Sequence, residues 1–143
     1  MSIDERLLEI RSYNDEGYMP LVDYENWRVA ILRFEEGLLP EKIVDMQRHD
    51  ETDEVFVLLA GRCILLLGEG SNEVTAIHAD DMQPLNVYNV KKGCWHHHAL
   101  SEDAVVLIVE NRDTVEANSP KVPLKPAQAE QIVNLCRQLW AEG

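Results

Sequence analysis

The sequence has no apolar run long enough to cross a membrane. Its longest, Val55–Ala60 and Ala104–Val109, fall far short of the ~18 residues a span requires. Basic residues are also scarce: 13 Lys and Arg stand against 26 Asp and Glu, a formal charge of −13. Such a field repels phosphate backbones and anionic membrane surfaces, so neither nucleic acid nor membrane is an expected partner. Met1–Arg6 carries neither the basic segment nor the apolar run of a secretory leader. Cysteine is rare and odd in number. Cys63, Cys94 and Cys136 are widely spaced, with no Cys-x-x-Cys pair, which excludes a complete disulfide framework and a thiolate zinc site. The expectation is a cytoplasmic protein with free thiols.

What remains is ordinary globular material. At ~100–200 residues per domain, 143 residues predict a single domain, 1–143, able to bury roughly two-thirds of its unfolded surface. Ser2 and Glu5 form a capping-box pattern, and Ile3, Leu7 and Ile10 share one face, which predicts a short N-terminal helix. Asn14–Pro20 is turn chemistry. From Trp27 the pattern changes to short β-branched runs between turns. Strands are predicted near Trp27–Phe34, Ile43–Gln47, Glu54–Ala60, Cys63–Leu67, Val74–His78, Asn86–Val90, His96–Leu100 and Ala104–Glu110. Many short strands at this spacing predict an all-β sandwich or barrel, with its core about 27–110. Pro120, Pro123 and Pro126 mark 111–126 as an extended connector. Ala129, Ile132, Val133, Cys136, Leu139 and Trp140 then recur at helical spacing, predicting a C-terminal helix over 127–142 that packs on the β body or on a partner subunit.

The histidines carry the chemistry. His96 and His98 share one face of a strand while His97 points to the other, because side chains alternate. With His49 and the acidic run that ends at Glu54, the inward face offers nitrogen and carboxylate donors suited to Zn, Mn, Fe, Co or Ni. His97 and His78 read as structural. Cys94 has the parity of His96, but a small buried hydrophobe is the commoner fate of a free cysteine. Trp95 and Tyr88 read first as packing residues. Lys91 and Lys92 are unusual in so acidic a chain; solvated turn lysines are the plainer reading, and steering of an anion is the alternative if a resemblance to a known fold puts them at the pocket mouth.

These residues resemble the cupin motifs. Gln47-x-His49, four residues, Glu54, six residues and Gly61 follow the second half of the first motif, Gly-x5-His-x-His-x3–4-Glu-x6-Gly. Gly93-Cys-Trp-His96 matches the Gly-x2-His core of the second, and together the motifs span Ile43–Glu110. The departures are the absence of the glycine that opens the first motif, Gln47 at its first histidine, Lys91 at the proline and Leu100 at the asparagine. The resemblance implies a double-stranded β-helix (jelly-roll) barrel and a divalent metal held by His49, Glu54 and His96, with Gln47 fourth. An amide oxygen binds such an ion less tightly than imidazole, and His98 stands where it can assist. The resemblance also implies a homodimer. The stretch Val87–His98 is similar to the glycine-Trp-His strand of the ureidoglycolate lyase family, which hints at a small polar carbonyl-bearing substrate.

Three accounts of function stay open on this reading. In the first, the chain is a metal-dependent isomerase, lyase, hydrolase or dioxygenase acting on a small carbonyl- or carboxylate-bearing metabolite, with His98 moving a proton. In the second it is a non-catalytic module that binds a sugar or organic acid. In the third, Gln47, His49, Glu54 and His96 are a metal-free, hydrogen-bonded polar core.

Overall fold

The computed structural model describes residues 2–143. Among them the chain forms β1 (Gly17–Tyr24), β2 (Trp27–Arg33), β3 (Asp45–Gln47), β4 (Glu54–Ala60), β5 (Cys63–Glu69) and β6 (Ala76–Asp81). It continues through β7 (Tyr88–Val90), β8 (Trp95–Leu100), β9 (Val105–Asn111) and β10 (Lys121–Pro123) to the helix α1 (Pro126–Glu142). Two five-stranded sheets result, ordered β1-β2-β9-β4-β7 and β10-β3-β8-β5-β6. Every pairing is antiparallel.

Alternation along the strands fills the space between the sheets. Phe56 and Leu58 on β4, Val106 and Ile108 on β9 and Leu100 on β8 point inward, with Ala30, Leu32 and Leu65. At one end of the sandwich the same inward positions turn polar: Glu54 precedes Phe56, Glu110 follows Ile108, and His96 and His98 precede Leu100. That change of residue type, with no change of backbone pattern, makes the site.

The middle of the second sheet is buried on both faces, which is why β5 is apolar almost throughout and five of the six residues of β8 are buried. Ile132 and Cys136 of α1, both fully buried, lie against Ile43, Ile64, Leu66, Ile77 and Ala99 on its outer face. The helix therefore covers its own sheet. Pro126 opens it at a position where a missing N–H costs nothing, and Gln128 Oε1 accepts from Lys125 N at 2.9 Å. Its last carbonyls are closed by Arg62, which donates to Trp140 O at 2.8 Å and Leu139 O at 3.2 Å while pairing with Asp81 at 2.8 Å. Gly61, in the β4–β5 turn, has φ +68°, and a Cβ there would meet the Ala104 backbone at 2.6 Å.

Four expectations need correction. The sheets remain separate, with edges at β1, β7, β10 and β6, so the predicted barrel is an open two-sheet sandwich. The N-terminal helix is a single turn. Asp4 O receives Leu7 N and Leu8 N, Asp4 Oδ1 receives Arg6 N, and Ile3, Leu7, Leu8 and Ile10 are exposed. With no surface on which to bury that stripe, nothing offsets helix nucleation. Two strands were hidden by proline. Pro20 lies in edge strand β1 beside a register shift between Pro20 and Val22, and Pro123 ends edge strand β10, both sites where a missing N–H is tolerated. Finally β6 runs on to Asp81, past its predicted end at His78, because it pairs with β5 as far as Ile64.

If α1 is held by its own sheet, Ile132→Ala destabilises the isolated chain by about 2–5 kcal/mol, the range for a fully buried large-to-small change. Urea denaturation at two protein concentrations checks this. A loss that depends on concentration would place the helix on a partner instead.

Candidate metal centre

The polar end of the sandwich opens into a cavity of about 530 Å³. His49 is brought there by the loop after β3, which Gly93 N anchors by donating to His49 O at 2.8 Å. Glu54 opens β4, and His96 follows Trp95 at the start of β8, opposite Gln47 of β3. His49 Nε2 and His96 Nε2 each lie 3.0 Å from the same atom, Glu54 Oε1. One donor atom from each of these three buried residues lies within 4.8 Å of the others, a grouping able to hold a metal ion.

Hydrogen bonding on the far side of the rings shows what such a group requires. His96 Nδ1 lies 3.0 Å from Cys94 O. A carbonyl only accepts, so Nδ1 carries the proton, and a neutral His96 aims a lone pair at the Glu54 oxygen. A lone pair facing a carboxylate oxygen at 3.0 Å repels it unless a proton or a cation lies between. A divalent ion among two imidazole nitrogens and a carboxylate meets that need, and nitrogen and oxygen donors suit Mn, Fe, Co, Ni or Zn. The residues present fit the metal that the cupin resemblance implies.

Around this group the other expected residues fall as follows. Gln47 lines the cavity, its Nε2 donating to Ser119 O at 3.3 Å. His98 lines it too, buried edge-on to Phe56 with ring centroids 4.5 Å apart, and its Nε2 has no partner. Burial, and then the proximity of His96, push the His98 imidazole down to about 3, so it is neutral at pH 7. His97 does not simply turn away, for it touches the cavity rim with Nε2 3.8 Å from Asp45. His78 is exposed on Glu69, away from the cavity. Cys94 packs against the inner apolar cluster, outside the cavity lining, and burial raises its thiol. Trp95 is buried under Arg48, and the Tyr88 hydroxyl accepts from Gln83 N at 2.8 Å. Lys91 and Lys92 are not at the mouth. Asp53 holds that turn, accepting from Lys92 N at 2.8 Å with Lys91 Nζ 3.9 Å away, and the lysine that does line the cavity is Lys121.

Glu110 and Tyr18 are among the site residues that were missed. Glu110 lines the cavity, accepts a hydrogen bond from the Tyr18 hydroxyl, and has Arg28 4.0 Å away. Its parity with Val106 and Ile108 in a predicted strand was the available signal. Tyr18 gave none, since its strand was read as a turn. Burial, then a hydrogen bond to Glu54 and the Glu54 charge, push the Glu110 carboxyl up to about 8. Burial acts on Glu54 in the same direction, but its polar contacts with His49, His96 and Glu110 outweigh it and hold this carboxyl well below the usual range. One carboxyl of the pair is thus neutral at pH 7 and the other ionised.

No family model matches the chain. In sequence it is similar to the ureidoglycolate lyase of Burkholderia cepacia, 29% identical over 119 residues, which cover 80% of this chain and 66% of that protein. The chain thus spans just under two-thirds of its relative. Among solved structures it is similar to Streptomyces Pac13 with uridine (TM-score 0.56, 12% identity, 81% of this chain and 86% of that one). It is also similar to oxalate decarboxylase from Bacillus subtilis (TM-score 0.53, 16% identity, 76% and 29%). Such neighbours include cupin-fold proteins, and at these identities the likeness is one of fold. The chain is mostly β, with two antiparallel sheets and one C-terminal helix in a cupin-like arrangement.

The charged groups set a pH profile for the metal-free protein. Glu110 is raised in the folded state, so its contribution is complete below the ordinary carboxylate range and is lost as pH rises toward about 8. His98, and His97 in the same direction, are lowered by burial, so their contribution is complete above about 6.5 and is lost as pH falls. From about pH 4.5 to 6.5 the opposing slopes largely offset each other, and above 6.5 only Glu110 remains. Denaturation midpoints should therefore fall between pH 6.5 and 8, and Glu110→Gln should remove the fall. An unchanged slope in that variant would assign it elsewhere.

Proposed function

We propose that this chain is a metal-dependent cupin enzyme, a lyase acting on a small carboxylate-bearing metabolite of the ureidoglycolate type. The reading is carried by the convergence of His49 Nε2 and His96 Nε2 on one Glu54 oxygen inside a cavity. The similarity to ureidoglycolate lyase selects the substrate to try first.

The charge of the cavity bears on this reading. Glu35, Asp45, Glu54, Glu110 and Glu116 line it, against Lys121. A substrate carboxylate entering such a lining is repelled unless positive charge is already present. His49, Glu54 and His96, with Gln47 beside them, would hold the divalent ion. When bound, it supplies that charge and Lewis-acid polarisation of a substrate oxygen. Cleaving ureidoglycolate breaks the bond from nitrogen to the hydroxyl-bearing carbon. The hydroxyl loses its proton as the carbonyl forms, and the nitrogen leaves with the bonding pair and takes up a proton. His98, whose neutral ring lines the cavity, is the acceptor for the hydroxyl proton. Glu110 holds a proton at pH 7 and supplies the one the nitrogen needs. Phe56, packed on His96 and His98, keeps both rings in place and water away from them.

A second reading draws on the same lining. A metal-free cavity with five acidic side chains suits a neutral polyhydroxy ligand such as a sugar, bound through hydrogen bonds without turnover.

Elemental analysis of protein purified without chelator is expected to show near-stoichiometric divalent metal, lost in folded His49→Ala and His96→Ala. With ureidoglycolate, His98→Ala is expected to lower kcat by about 10²–10⁴-fold at unchanged metal content. Protein that takes up no metal after anaerobic reloading rules the lyase reading out and leaves the neutral-ligand reading.

A further inference from the structure

The segment after β9 was expected to be a plain connector, yet it supplies a buried polar residue to the centre. Ser119 is 4% exposed and follows a 3-10 turn over Glu116–Asn118. Main-chain hydrogen bonds fasten the segment on either side of His49: Arg48 N donates to Pro120 O at 3.1 Å and Asp50 N to Asn118 O at 3.0 Å. The Ser119 hydroxyl lies 2.7 Å from His49 Nδ1, and its carbonyl receives Gln47 Nε2 at 3.3 Å. One residue therefore touches two candidate ligands, each on the side away from the metal position.

The direction of these bonds can be worked out from Asn118. Its Nδ2 donates to Glu51 Oε2 at 2.8 Å and to Asp113 O at 2.9 Å, so its amide is held one way round. Its Oδ1 is then an acceptor, receiving Val115 N at 2.9 Å and the Ser119 hydroxyl at 3.2 Å. With its own proton committed to Asn118, Ser119 Oγ accepts from His49 Nδ1. That fixes the hydrogen of a neutral His49 on Nδ1 and leaves the Nε2 lone pair toward Glu54. At Gln47 the logic is shorter. The Ser119 carbonyl only accepts, so the amide must present its nitrogen to it, and Oε1 is the atom left for the cavity.

We propose that Ser119 is the positioning residue of this centre: its hydroxyl fixes the His49 tautomer, and its carbonyl makes Gln47 an oxygen donor. The inference rests on the metal reading above and deepens it. The donor set becomes two imidazole nitrogens, a carboxylate oxygen and an amide oxygen, which suits a borderline or harder divalent ion over a thiophilic one. A partner that orients a histidine from behind commonly matters to metal affinity by about 10–100-fold.

Two measurements test it. In wild-type protein loaded with Zn²⁺, nitrogen-15 NMR of the assigned His49 ring is expected to show the Nδ1–H tautomer, and Ser119→Ala loaded the same way is expected to move it toward a mixture. A wild-type His49 protonated on Nε2 alone, or a tautomer unchanged in Ser119→Ala, overturns the proposal. By calorimetry with Mn²⁺, Ser119→Ala is expected to bind about 10–100-fold more weakly, and Ser119→Thr, which keeps the hydroxyl, to recover most of the loss. Equal affinity in wild type and Ser119→Ala overturns the proposal while leaving the metal reading standing. If wild-type protein binds no ion, the metal reading fails and the proposal that rests on it fails with it, a result distinct from equal affinity in the two proteins.

Discussion

Two imidazole nitrogens held 3.0 Å from a single buried carboxylate oxygen are the constraint around which the polar end of this fold is arranged. An isolated carboxylate at that depth is costly, and each neighbour acts to lower the cost. Glu110 takes up a proton beside it, Cys94 O and Ser119 Oγ hold the far nitrogens of the rings, and Phe56 packs against His96. The apolar middle of the sandwich supplies rigidity, since the strands that carry Glu54, His96 and Glu110 also carry Phe56, Leu100 and Ile108 within four residues. Core and site are one strand pattern with different residues at its end.

Legibility in the sequence followed how local each signal was. The β4 strand and its Glu54 were readable because strand, turn glycine and carboxylate lie within eight consecutive residues, Glu54–Gly61. The β8 histidines were readable by parity alone, although His97, assigned to the opposite face, still reaches the rim beside Asp45. Closure into a barrel was not readable, because whether edge strands join depends on twist and spacing that no alternation pattern encodes. The N-terminal stripe Ile3, Leu7 and Ile10 had helical spacing but no surface to meet, and spacing reports only what a segment would bury if something lay beneath it.

Prolines misled in the opposite way. Pro20 and Pro123 argued against strand, yet both occur in edge strands, where one side of the backbone needs no partner. Those two strands bring in what the motif reading lacked. β1 carries Tyr18 to Glu110, and the segment leading into β10 carries Ser119 to His49 and Gln47. Residues 92 and 70 positions apart meet in these contacts, a separation at which periodicity holds no information.

The replacement of a histidine by Gln47 can be weighed in the same terms. A third imidazole would add a stronger donor but would bring a further ring nitrogen needing a partner behind it. Gln47 has its nitrogen satisfied by Ser119 O, the residue whose hydroxyl already serves His49. The substitution therefore weakens one donor without leaving a buried polar atom unpaired. The exception in the lining is His98, whose unpartnered Nε2 is the one orphaned buried ring nitrogen among the cavity's described histidines. A buried polar atom left without a partner is unfavourable, and the lining bears that cost at the ring packed edge-on against Phe56.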